Sequence, residues 1–518
     1  MAGETSRACR VHYRSIRTNL SLRALTETIS VLPSPAILGG NSAKAGEDGF
    51  SYWAAEPRDV FEFRAGQSDP FSKLEDVLAR YKLVDGPAVS HDHAEDAART
   101  IPPSSGAADQ RGLGLPAGMF CGGWIGHFSY ELGRYIERLP ERAVDDLKIP
   151  LIRLCFYDRF IAYDHRSHTV WIVAMELPGD SERPEQKIAA LEHILDRSRW
   201  VQSAELTAAN IEDTDFSDVR RNMTRNTYLD AVRRIKGYVH DGDIYQANFS
   251  HRFEQPFKGR PVQLFHWENR YNPSGYAAYL DAGDFQFVST SPELFITIHD
   301  SRIQTKPIKG TRPRIDAADP QSRRLNTERF NELLTSEKEQ AELNMIIDLE
   351  RNDVARVCKP GTRQVIQPRT IETYPTVFHA VATVGGELRS GITFSEILRA
   401  MFPGGSITGA PKIRSMEIID ELEPTARGVY TGSIGFLGLD GTACLNIAIR
   451  TVIITGGSAF VQTGGGIVAD SEPQAEWDET ITKARALLAG IRAVENGYHA
   501  AGGRIMAARN DGQTGLPQ

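Results

Sequence analysis

Cysteine is scarce in this chain of 518 residues: the five present are Cys9, Cys121, Cys155, Cys358 and Cys444, and no two form a CxxC pair. An odd, dispersed set argues against a disulfide framework or a thiolate zinc cluster, and for a reducing compartment. No apolar run approaches the length of a membrane span. The segment RACRVHYRSIR near the start is polar and basic rather than apolar, so no secretory leader is expected and the cytoplasm is the expected location. Positive charge is not in excess either. The net charge is −8, so no global field draws nucleic acid, and an anionic ligand would need a local basic or metal site. The nucleotide patterns G-x-x-x-x-G-K-[ST] and G-x-G-x-x-G in a βαβ setting are missing, which disfavours a bound nucleotide.

The remaining pattern is that of an ordinary globular chain, long enough for two or more domains. Its first part is irregular. Phe156–Asp164 and Thr169–Met175 read as a hairpin across the turn at His165–His168, and the stretches from about Gly39 to Gly49 and Ala94 to Gly112 read as surface loops. The polar, aperiodic stretch from Ser203 to Arg225 is the best boundary candidate. After it the periodicity sharpens. Tyr228, Val232, Ile235 and Val239 predict one helix, and Leu343, Ile346, Ile347 and Val354 a second over Ser336–Val357. A third starts at Pro473 with Ser471 as its cap. Strands are expected at Gln286–Ser289, Leu294–His299, Arg302–Ile308, Gly432–Leu437, Ala443–Val452 and Ala459–Thr463. Strands and helices in runs, without strict βαβ alternation, favour an α+β fold with antiparallel sheets. The tail after about Gly497 reads as disordered.

Ser291 to Arg314, SPELFITIHDSRIQTKPIKGTRPR, is the most informative stretch. A hairpin turning near Asp300-Ser301 sets Glu293 and Lys309 at its open end, either as a cross-strand salt bridge or as a carboxyl–amine pair with chemistry to do. Glu342 lies on the second helix. Glu479 and Lys483, four apart, share a face of the third with Glu472 and Glu476. Such faces are usually solvated stripes, but two carboxylates meeting from different helices suit Mg²⁺. The glycines of TGGGIV, Thr463–Val468, read as a turn from strand to acidic helix that lets backbone approach a ligand. GGSITGAPK at Gly404–Lys412 reads likewise.

In their order, GDIYQANFS, STSPELF, PIKGT, AELNMIIDLERND, GGSITGAPKIRSMEIIDELEP, YTGSIGF, LNIAIRT, TGGGIV and DSEPQAEWDETITKA resemble the chorismate-utilising enzymes. The family includes anthranilate, aminodeoxychorismate, isochorismate and salicylate synthases. The likeness covers nearly all of Thr224–Ala486, and more loosely CGGWIGHFSYELGRYIERLP before it. It implies a large α+β sandwich of two antiparallel β-sheets with outer helices. In it residues 1–224 interleave with a chorismate-binding part at 225–497, ahead of a tail at 498–518. It implies Glu342 and Glu479 as Mg²⁺ ligands, with the metal holding the ring carboxylate. It further implies Tyr430 and Arg450 on a substrate carboxylate, Gly464, Gly465, Gly466 and Lys483 on the carboxylate and metal side, and Gly310 and Thr311 in the same pocket. His379 corresponds to a histidine near the ring; a core histidine satisfied by a backbone carbonyl is the competing reading.

Two positions discriminate within the family. Isochorismate and salicylate synthases use a lysine base to activate water where this chain has Gln246, and a neutral amide cannot take that proton. Anthranilate synthases read PIAGT, whereas aminodeoxychorismate synthases read PIKGT, as here. The resemblance therefore implies amination of chorismate at C4 to 4-amino-4-deoxychorismate, toward 4-aminobenzoate and folate, with Lys309 as covalent nucleophile and Glu293 as general acid. An anthranilate synthase component with an incidental Lys309, or a non-catalytic scaffold, are the alternatives. Nothing in the chain resembles a glutamine amidotransferase, so ammonia from a separate glutaminase subunit is expected. Family members that bind tryptophan carry a proline before an aromatic residue where this chain reads Gly275-Tyr276, so tryptophan binding is not implied.

Overall fold

The hairpin after Glu293 forms where the alternation places it, as strands Leu294–His299 and Arg302–Lys306. Its turn residues Asp300 and Ser301 take φ of 48° and 61°, the positive values a two-residue hairpin turn demands. The computed structural model containing it describes residues 6–500 apart from 19, 40–48, 93–112, 202–210, 212–214, 316, 318 and 375. Most of the two expected loops, nearly half of the expected boundary stretch, and the tail beyond 500 lie outside the described residues.

Strands of this kind assemble into two sheets, one of 14 strands and one of 10. Pairing between named strands is antiparallel except where Arg7–Arg17 meets Tyr81–Leu83 and Val89–Ser90 in parallel. The expected α+β sandwich is present, and both parts of the sequence build both sheets. In the larger sheet Tyr276–Asp281 pairs with Ala36–Leu38, and in the smaller Ser433–Gly438 pairs with Gly123–Phe128. Phe120, Trp124, Phe156, Phe160, Phe287, Ile296 and Phe436 fill the space between. Each fully buried Phe or Ile there stabilises the fold by about 1.5–3 kcal/mol relative to exposure. Helices Leu22–Ile29, Pro184–Ser198, Pro261–Tyr271 and Pro473–Ala500 cover the outer face of the larger sheet through Leu25, Leu191, Trp267 and Leu488. Arg225–His240, capped by Thr224, buries Tyr228, Val232 and Ile235. Glu337–Val357, capped by Ser336, buries Leu343, Ile346, Ile347 and Val354.

Four local expectations differ from the structure. The strand expected over Phe156–Asp164 divides at Asp158: Ile152–Tyr157 belongs to the smaller sheet and Arg159–Asp164 to the larger. Asp158 is buried against Lys187, 2.7 Å away, so the crossing is anchored by charge that a hydropathy pattern does not register. Ala443–Val452 divides likewise into Ala443–Asn446 and Thr451–Thr455, on different sheets, with Arg450 at φ 47° between them. Gly464–Gly466 are not a turn. They lie within strand Ser458–Ile467, paired with Ser250, Phe249 and Asn248. A Cβ on Gly464 would stand 2.4 Å from the Phe249 carbonyl oxygen, so glycine here serves close strand packing. Finally, the Ser471 hydroxyl accepts the Val468 N–H rather than a helix amide.

Candidate active site

Glu293 lies in the short link between strand Phe285–Ser291 and the hairpin strand Leu294–His299, and is buried. Its Oε1 accepts the Ser406 hydroxyl at 2.6 Å and, at a longer 3.4 Å, the Ile308 N–H. Burial pushes its carboxyl up to about 7, against the pull of Ser406, Ile308, Lys309 and Lys483. The hairpin brings Lys309 into this neighbourhood, but the register shifts between Leu294 and Thr297, and the lysine forms no ion pair with Glu293. Lys309 Nζ instead lies 3.5 Å from Glu342 Oε2. The amine also lies beneath Gly466, where a Cβ would stand 2.9 Å from Nζ and 2.8 Å from Gln246 Nε2.

Beyond Val461 the glycine strand pairs on one side only, among the described strands, so its other edge opens toward this group. Lys483 Nζ donates to the Gly464 carbonyl at 2.8 Å and meets Glu479 Oε1 at 2.7 Å. Partial burial of Glu479 opposes ionisation, but Lys483 first and then Lys309 and Lys338 outweigh it and hold the carboxyl below its usual range. Glu476, one turn earlier, is pushed up by burial and by Glu479. Glu339 and Glu342 occupy successive turns of Glu337–Val357 just as Glu476 and Glu479 do on Pro473–Ala500. The donor set is all oxygen, which fits a hard divalent cation such as Mg²⁺. The amines of Lys309 and Lys483 stand against Glu342 and Glu479. No group of three or more His, Cys, Asp or Glu among the described residues forms a metal cage, so a two-carboxylate site would leave positions for water and substrate oxygens.

On the neighbouring strands Thr311 opposes His379, and its hydroxyl lies 2.8 Å from Nδ1. The histidine is thus held by a side chain and not by a backbone carbonyl. Burial pulls it down to about 3, so it is neutral, and its buried Nε2 has no protein partner. Gly310 has φ 97°, and a Cβ there would stand 2.7 Å from Glu339 Oε2. Arg450 donates to Asn272 Oδ1 at 3.3 Å and its charge reaches His379. Tyr430 is buried beside Arg427, 5.8 Å from ring centre to guanidinium, and touches none of the other candidates. Its loop is nevertheless tied to that of Arg450, because Thr431 N–H donates to the Ala448 carbonyl at 2.8 Å.

The chorismate binding enzyme profile matches residues 44–489. The chain belongs to this family. Aminodeoxychorismate synthase component 1 of Bacillus subtilis is 40% identical over 369 residues, 71% of this chain and 76% of that one. Anthranilate synthase component 1 of Haloarcula marismortui is 37% identical over 476 residues, 90% and 89%. Among solved structures, anthranilate synthase component I from Streptococcus pneumoniae superposes with a TM-score of 0.68 at 28% identity, over 85% of this chain and 92% of that one. A menaquinone-specific isochorismate synthase from Escherichia coli has a TM-score of 0.64 at 15% identity, over 94% and 95%, a likeness of fold alone.

In this chorismate-binding enzyme the sequence reading missed Ser406, Glu339 and Glu350 as neighbours of the charged group. Ser406 sat in a glycine-rich stretch that had been read for its backbone. Glu339 lies one turn before Glu342, a spacing that could have flagged it. The buried Gln246 amide has no hydrogen-bond partner at either atom, which marks a side chain waiting for a ligand. A cavity of about 490 Å³ lined by Tyr81, Trp124, Phe394 and Leu437 lies elsewhere and includes none of the candidates. Convergence of charge, not cavity size, marks the site.

Proposed function

We propose that the chain aminates chorismate at C4, giving 4-amino-4-deoxychorismate for 4-aminobenzoate and folate formation. The observation that carries this reading is Lys309 itself: an amine in PIKGT, beside Glu342 and Gln246 and near a protonated Glu293. In its neutral form Lys309 attacks C2 of chorismate. The ring double bonds shift, and the C4–O bond breaks as Glu293 gives its proton to the departing hydroxyl, which leaves as water. Ammonia then attacks C4, the double bonds shift back, and the C2–N bond to Lys309 breaks. Covalent attachment divides one difficult substitution into two easier ones, and the two displacements put nitrogen para to the ring carboxylate. Arg450 and Lys483 would hold substrate carboxylates, and Tyr430 would reach one from the loop tied to that of Arg450. His379 Nε2, the Thr311 hydroxyl and the Gly310 backbone would line the ring. Mg²⁺ held by Glu342 and Glu479 would supply positive charge to the ring carboxylate. Two of the relatives are first components, which supports a second component here, a glutaminase that delivers ammonia in the reducing cytoplasm.

The test is to incubate the protein with chorismate and Mg²⁺ without ammonium, quench in acid and weigh the intact chain. An adduct of the mass of dehydrated chorismate on the peptide containing Lys309, lost on adding ammonium and absent from Lys309→Ala, is the expected result. Full C4 amination by Lys309→Ala would sink the nucleophile assignment. Anthranilate synthase activity is the second reading, favoured by the relative that covers 90% of the chain.

A further inference from the structure

The general acid must not only hold a proton but hold it on the oxygen that faces the leaving group. Glu293 has two hydrogen-bond donors, and both go to Oε1: the Ser406 hydroxyl at 2.6 Å and the Ile308 N–H at 3.4 Å. A backbone N–H can only donate, so Oε1 is fixed as the acceptor, the carbonyl-like oxygen of a protonated carboxyl. No described residue hydrogen-bonds Oε2. We propose that Ser406 is a positioning residue that fixes Glu293 with Oε1 as acceptor and Oε2 as the oxygen carrying the transferable proton. This inference rests on the reading of Glu293 as the acid.

Ser406 is itself held tightly. It lies in the single turn Gly405–Ile407, whose Gly405 N–H donates to Glu350 Oε1 at 3.0 Å and whose Ile407 carbonyl accepts Arg427 Nη1 at 3.1 Å. Thr408 Oγ1 closes the turn onto the Gly404 carbonyl at 3.0 Å. Lys412 Nζ ties the preceding residues, donating to the Met401 and Pro403 carbonyls at 3.1 and 2.9 Å and to Asp353 Oδ2 at 2.5 Å. A Cβ on Gly405 would stand 2.6 Å from Leu349 Cδ2 and 3.0 Å from Glu350 Oε1, so the turn packs closely against helix Glu337–Val357. The glycine-rich stretch thus delivers one hydroxyl rather than a backbone nest. The charged groups that face Glu293 are Lys309 on strand Ile308–Pro313, Lys483 on Pro473–Ala500 and Glu350 on Glu337–Val357. None of these donates to the carboxyl, and only Ser406 and Ile308 decide which oxygen accepts.

The test compares Ser406→Ala, Ser406→Thr and Glu293→Gln with the parent. It follows Mg²⁺- and ammonium-dependent chorismate consumption from pH 6 to 9, whatever the aminated product. Ser406→Ala is expected to lose roughly 10–100-fold in kcat with KM little changed. Its descending alkaline limb should move to higher pH, because a donor to Glu293 has been removed. Ser406→Thr, which keeps the hydroxyl, should restore most of the rate and the parent limb. A Ser406→Ala enzyme with parental kcat and limb overturns the inference. So does a loss that threonine does not rescue and that leaves the limb in place, since that is a packing defect. If Glu293→Gln stays fully active, the failure lies in the assignment of the acid and not in the role of Ser406.

Discussion

A carboxyl as buried as Glu293 ionises late. Pushed up to about 7, it keeps its proton where an exposed glutamate has lost it. The protonated form is present below that value and is lost as pH rises through it. The expected outcome is a kcat/KM for chorismate that falls above neutrality, and Glu293→Gln should remove both the rate and that limb; an unchanged limb would exclude Glu293 as its source. Gly466 makes a second residue-scale prediction. A methyl there would crowd Lys309 Nζ and Gln246 Nε2, so Gly466→Ala should cost roughly 100-fold in kcat and leave the melting temperature close to that of the parent. Glu268 is different, a fully buried acid behind Arg450 whose oxygens have no hydrogen-bond partner. Burial pushes it up to about 8, despite Asn272 and Arg450 nearby. An unfolded glutamate ionises near about 4.3, so folding loses stability as pH rises from there toward 8. Glu268→Gln should therefore raise the melting temperature at pH 8 and change it little at pH 5. An equal shift at both would point to packing instead.

Among the elements, the hairpin at Leu294–Lys306 and the helices Arg225–His240 and Glu337–Val357 were legible because each shows an undisturbed period and a turn or cap residue at its end. The chain's crossings between sheets were not. At Asp158 and at 447–450 an apolar pattern runs on past a change of sheet, because both sheets offer much the same buried environment. The glycine strand was misread for a related reason, since glycine signals turns and close packing alike. The candidate site was legible mainly through resemblance. Spacing alone paired Glu293 with Lys309, whereas the fold gives Lys309 to Glu342. The Asp158 crossing carries its own prediction. Lys187 is 1% exposed and pairs with Asp158 and Asp180 at 2.7 and 2.6 Å. Asp158→Ala should destabilise the protein by about 3 kcal/mol, seen as an earlier urea midpoint, and Asp180→Ala by a similar amount. A midpoint unchanged in both would mean that these ion pairs do not anchor the crossing.

For the whole molecule, the shared sheets join the two parts of the sequence along the seam where Tyr276–Asp281 meets Ala36–Leu38. A cavity at that seam, lined by Leu38, Tyr52, Gly275, Tyr276 and Phe436, has about 50 Å³, room for a few waters and not for an indole. Tryptophan should give no binding heat by calorimetry and no change in chorismate turnover; inhibition would show that the seam opens. The central claim concerns which carbon receives nitrogen, and product identification tests it most directly. The purified protein is incubated with chorismate, Mg²⁺ and ammonium at mildly alkaline pH, with half of each sample then given aminodeoxychorismate lyase before chromatography and mass detection. The expected result is a Mg²⁺-dependent product that becomes 4-aminobenzoate only with the lyase. Anthranilate formed without the lyase would contradict it and leave Lys309 without a catalytic role.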